Sequence, residues 1–144
     1  MTDSPALIQK SGMGLALFID TPEHKTMLDL IAQLALNQPV RAVVGGNRFR
    51  AFDLTRTIRR HTVQVDVVLQ RIQLTRPFTC YQALALFEGL SAVAQPLVVL
   101  DLLDTFTDEN ISAAESVRLT RQVIQHLNWL KTYTAVIVHT TTPP

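Results

Sequence analysis

Lys25-Thr26 is the first pair in this chain whose residue types and spacing could do chemistry. It follows an apolar, strand-like run, MGLALFI, and opens a helix-like run within the stretch FIDTPEHKTMLDL. Strand, short turn, Lys-Thr and helix is the layout of a phosphate-binding loop. In such a loop Lys reaches the terminal phosphates and a hydroxyl ligates Mg²⁺. Glycines let several backbone N–H groups turn toward the phosphate oxygens. The second candidate is Asp101, which directly follows the apolar run LVVL. A carboxylate at that point can hold Mg²⁺ through water, and Asp104 stands close by.

The loop pattern G-x-x-x-x-G-K-[ST] is met only in part. Lys25 and Thr26 match, but the first glycine position is Ile19 and the second is His24. No glycine lies between Gly14 and Gly45. A β-branched Ile and a His supply neither the unusual backbone angles nor the close approach that glycine gives. Pro22 removes one N–H outright. Thr21-Pro22-Glu23 reads instead as a helix start, with Thr21 as N-cap, Pro22 in the first helical position and Glu23 in the first turn. The helix is expected to begin about three residues before Lys25, with Glu23 where a phosphate would dock. Lys25 then reads as a solvated helix lysine able to pair with Asp29. Hydrolysis would also need a group to orient water.

The charges are unevenly spread. Residues 37–80 hold eight arginines against Asp53 and Asp66, whereas residues 81–115 hold six acidic residues and no Lys or Arg. Such asymmetry predicts two differently charged surfaces. Arg48, Arg50, Arg56, Arg59 and Arg60 cluster around one predicted helix. With Leu54 and Ile58 facing the sheet, Arg56, Arg59 and Arg60 fall on the opposite arc. That arc suits a nucleic-acid backbone, an acidic protein face such as Asp104, Asp108 and Glu109 of another copy, or plain solvent. Trp129 falls outside the apolar arc of the last predicted helix, near Arg118 and Gln122. An exposed Trp there marks a contact surface, unless residues 140–144 cover it. The four histidines and single cysteine show no metal-ligand spacing. No nucleophile elbow is present, and His139 and Thr140 receive no role.

These residues need elements to position them. Predicted strands are Met13–Ile19, Val40–Val44, Val65–Leu69 with an extension to Leu74, Leu97–Leu100 and Ala135–Val138. They are continuously apolar, as buried parallel strands are. Predicted helices span 22–36, 51–61, 80–93 and 113–132. Thr79–Gln82 and Ser112–Glu115 read as capping boxes. Val117, Leu119, Val123, Ile124, Leu127 and Leu130 share the inward arc of the last helix. The alternation predicts one α/β domain over 1–144, with 1–12 an extension and 140–144 a tail. Its parallel sheet of about five strands carries helices on both faces. Ligands in such folds sit at the carboxyl ends of the strands. The hydrophobic fraction of 47% and charged fraction of 17% suit a doubly covered sheet and argue against disorder. A net charge of +1 announces no polyanion partner by itself. One cysteine fits a reducing compartment. MTDSPALIQKSG lacks the marks of a signal peptide, and no apolar run reaches the ~20 residues of a membrane span. A cytoplasmic location and no membrane contact are expected.

Taken in order, the segments at the carboxyl edge resemble the core of the RecA/RadA-like recombinase ATPases from about Leu15 to Thr140. Ile19–Thr26 (IDTPEHKT) occupies the Walker A position. VVGGNRF, residues 43–49, resembles the strand and turn after the second strand, where the family carries a Glu-Gly-x-Phe-type turn. LTRPFTCYQ, residues 74–82, resembles the Ala-Arg…His-Gln segment leading into the third helix. LVVLD, residues 97–101, has the Walker B form. The resemblance implies a P-loop NTPase-type three-layer fold, ATP and Mg²⁺ binding, oligomeric assembly and work on DNA recombination or repair. The departures imply a degenerate site. The catalytic glutamate aligns with Gly46, and the loop after the fourth strand is short and acidic, LLDTFTDEN. The expectation is therefore a non-hydrolysing interaction or regulatory protein without a cofactor, a protein partner or self-association, and Lys25, Thr26 and Asp101 as a remnant nucleotide site. The alternatives are an ATP-binding ATPase with an unusual P-loop, and a DNA-binding accessory protein.

Overall fold

Five short runs rich in Val, Leu, Ile and Ala form the strands β1 (Gly14–Ile19), β2 (Val40–Val44), β3 (Ile72–Thr75), β4 (Leu97–Leu100) and β5 (Ala135–Thr140). The computed structural model describes residues 13–107 and 110–142. All neighbouring strands are parallel, in the order β1-β5-β4-β2-β3. The connections are helices α1 (His24–Ala35), α2 (Ala51–Arg59), α3 (Val65–Gln70), α4 (Cys80–Glu88) and α5 (Ala113–Leu130), with a 3-10 turn at Leu102–Phe106. The α/β architecture with helices on both faces is the one the alternation predicts.

Side-chain alternation along the central strands divides the core in two. Ala42, Val44, Val98, Leu100 and Ile137 pack under α1, α2 and α3, with Ile31, Leu34, Ile58 and Val68. Val43, Val99, Val136 and Val138 pack under α4 and α5, with Phe87, Leu119, Val123 and Leu127. Strands covered on both faces read as unbroken apolar runs for this reason.

The predicted strand Val65–Leu69 is instead the helix α3, and the strand begins only at Ile72. Val65, Val68 and Leu69 recur at helical spacing and meet the core, while Val67 points outward. A short apolar run satisfies either period, and the flanking turn decides. Other bounds also move. The helix predicted over 80–93 stops at Glu88 with Gly89 as its C-cap. The stretch after it is held by buried Arg41, which donates to the carbonyls of Ser91, at 2.8 Å, and Gln95, at 3.0 Å. α5 ends at Leu130, and β5 runs two residues past Val138.

The hydroxyls of Thr79 and Ser112 cap α4 and α5, accepting from the Gln82 and Glu115 amides. The return contacts differ from the capping box. Gln82 accepts from the Phe78 N–H. Glu115 takes the Arg118 guanidinium and the Tyr81 hydroxyl, which lowers its pKa to about 2. On α5 only Leu119, Val123, Leu127 and Leu130 are buried, and the predicted inward residues Val117 and Ile124 are exposed. The inward stripe is narrower than the apolar arc of the sequence. No helix among the described residues is long and apolar enough to cross a membrane.

Candidate functional site

The strand order sets where a ligand could enter. The chain leaves β2 toward the β3 edge and leaves β4 toward β5, so the direction of winding reverses between these neighbours. The crevice outside the carboxyl ends of β2 and β4 is the switch point at which open α/β sheets bind ligands.

β2 delivers Gly45-Gly46 to this crevice, and β4 delivers Asp101. A Cβ on Gly45 would lie 2.4 Å from the Asp101 carbonyl oxygen and 2.5 Å from Thr105 Oγ1. Gly46 has φ +66°, and a Cβ there would meet Asp104 Oδ2 at 2.6 Å. Glycine is required at one position by close approach and at the other by backbone angle as well. Asp101 itself adopts a left-handed conformation, φ 54°, as does Asp20 after β1, φ 66°. Non-glycine residues held there cluster at functional sites.

Asp101 is 0% exposed and accepts from the Arg48 guanidinium. Its second oxygen is buried with no hydrogen-bond partner among the described residues. The His139 ring donates from Nε2 to the Pro22 carbonyl at 2.8 Å, leaving Nδ1 buried without a partner. Both ring nitrogens of His24 are also buried and unpartnered. Burial, chiefly, lowers the His24 pKa below its ordinary value. Asp101, Arg48, His139 and Asp53 all act on it through their charges. The pKa of Asp104 is raised, first by burial and then by the nearby Asp101 charge. Four unpaired polar atoms and two displaced titrations mark this edge as a candidate site.

The turn between β1 and α1 differs from the predicted helix start. α1 begins at His24, one residue before Lys25, and Glu23 is its N-cap with no side-chain hydrogen bond. Thr21 and Pro22 lie outside the helix and do not cap it. The Pro22 carbonyl is held by His139, and Asp20 turns toward the chain beyond β5, accepting from the Thr142 amide and hydroxyl. The expected Lys25–Asp29 pair is absent among the described ion pairs. Asp29 accepts from Gln33 and lies 2.6 Å from His61 Nε2.

Residues of this edge line two concavities. A cleft of about 320 Å³ at the switch point is lined by Gly46, Asn47, Phe78, Asp104 and Thr107, with Phe78 81% exposed. A pocket of about 260 Å³ between α1 and α2 is lined by His24, Lys25, Asp53, Arg56 and Arg60. Lys25 therefore lines one pocket with Arg56 and Arg60, whereas Asp101, paired with Arg48, is not part of its lining. Thr26 is half-buried, and its amide donates to Glu23. Arg50 and Arg59 are exposed and do not line the pocket.

Trp129 is 45% exposed on α5, in contact with the rings of His126 and Tyr133 at 5.1 and 5.3 Å. Asp108 and Glu109, of the proposed acidic face, lie outside the described residues, as do 1–12 and 143–144. No group of three or more His, Cys, Asp or Glu among the described residues could hold a metal ion. The contributions of His24, His139 and Phe78 escape the sequence reading. The one available signal is position, since His139 directly follows the apolar run Ala135–Val138 and His24 fills a glycine place. No family model and no curated protein matches the chain.

Proposed function

We propose that this chain is a RecA-like domain whose nucleotide site is closed by its own side chains, and that it works as a non-hydrolysing interaction or regulatory protein. The observation that carries this reading is the Arg48–Asp101 pair. In the resemblance, Asp101 is the carboxylate that holds magnesium. Here it is fully buried and its charge is answered by a guanidinium. Its other oxygen is shut off from solvent, so a hydrated cation cannot reach it. The turn supports the same reading. Where a phosphate loop presents N–H groups, residues 20–23 place a Pro and a carbonyl that is already bound to His139.

A cytoplasmic setting, a DNA recombination or repair role and a protein partner belong to this proposal. Trp129, with Tyr133 beside it, is the aromatic surface for such a partner.

The test is thermal melting of the purified chain with millimolar ATP, with and without Mg²⁺, alongside a phosphate-release assay. The expected result is no Mg²⁺-dependent rise in midpoint and no release. A ligand at 100-fold excess over its dissociation constant would add about 2.7 kcal/mol, a shift of several degrees. A Mg²⁺-dependent rise that disappears in Lys25→Ala would refute the closed site.

A further inference from the structure

We infer that the pocket between α1 and α2 binds a phosphate group. Three cationic side chains, Lys25 at the start of α1 and Arg56 and Arg60 from α2, converge on one concavity against a single carboxylate, Asp53. None of the three forms an ion pair among the described residues, and Arg56 only rests over the exposed Phe52 ring at 5.7 Å. Unneutralised like charges gathered on a concave surface repel one another unless an anion joins them.

His24 stands on the pocket wall with both ring nitrogens shielded from solvent, so its ring senses the pocket without reaching into it. Guanidinium groups pair with phosphate oxygens in a two-pronged geometry. Asp53 adds an acceptor for a hydroxyl beside the phosphate, the combination found in a phosphorylated sugar or nucleotide unit.

This site does not use Asp101 and needs no magnesium, so it stands or falls separately from the closed nucleotide site. The phosphate could come from a small phosphorylated molecule or from a nucleic-acid backbone. Two probes separate these sources.

The full chain, in EDTA, is titrated with inorganic phosphate and separately with a single-stranded oligonucleotide, and the His24 imidazole resonances are followed by NMR. The expected result is a saturable His24 shift that weakens about tenfold in the Arg56→Gln/Arg60→Gln double variant. Arg121→Gln, which removes one exposed charge from α5 in the other layer, leaves binding unchanged. Both arginines of the double variant are exposed, and a melting curve confirms that it folds. Tighter binding of the oligonucleotide assigns the phosphate to nucleic acid, and any other order assigns it to a small ligand. No saturable His24 shift with either probe overturns the proposal. So does a shift untouched by the double variant, or one weakened equally by Arg121→Gln.

Discussion

His24 carries the clearest residue-scale consequence. Its two ring nitrogens are shielded and unpartnered among the described residues, and burial lowers its pKa below the ordinary 6.5. The folded chain therefore holds it neutral where the unfolded chain begins to take up a proton. Its contribution to stability is complete above pH 6.5 and is lost as pH falls from there through the folded-state value. Urea midpoints measured from pH 8 to pH 5 should fall in the native chain, and less steeply in His24→Gln. Equal slopes would show that His24 is not the group responsible. Little of this is visible in the sequence. A His in a glycine position reads as a lost function, and only the fold shows which charges surround it.

At the scale of elements, the contact between the ends of β2 and β4 is the tightest constraint on the site. Gly45 leaves no room for a side chain against the Asp101 carbonyl and Thr105. Gly45→Ala should destabilise the chain by roughly 2–4 kcal/mol, through displacement of backbone that cannot yield. A melting curve within a degree of the native one would mean that the 3-10 turn moves freely. The sequence makes this pair of elements legible, because LVVLD and VVGG each end an apolar run with the residues a tight turn needs. It fails at VDVVL. Those residues suit a strand by composition, and their helical fate depends on a core face supplied by α1 and α2. It fails again at Thr21-Pro22-Glu23, a good local helix start overruled by a His139 contact from the far end of the chain.

At the scale of the whole molecule, β1 stands at one edge of the sheet and pairs only with β5. Its outer row, Leu15, Leu17 and Ile19, remains exposed beside the α4–α5 layer. An open edge with an apolar row is a surface that pairs with another chain. Leu17→Lys should therefore reduce concentration-dependent self-association in sedimentation velocity, while changing stability by no more than about 0.5 kcal/mol. Association unaffected by the lysine would move the self-contact to another face, with the Trp129 surface next in line. The sequence points to a sheet of about five strands but not to their order. That β1 lies outermost follows from pairings among residues far apart in the chain. The same arrangement bears on synthesis. Gly14 can take its place only beside Ala135, so the first strand made must wait for the last. At roughly 5–20 residues per second the wait is on the order of ten seconds. Throughout it a nascent apolar segment stands open to whatever binds such segments at the ribosome, and a chaperone's hold on β1 would end when β5 emerges.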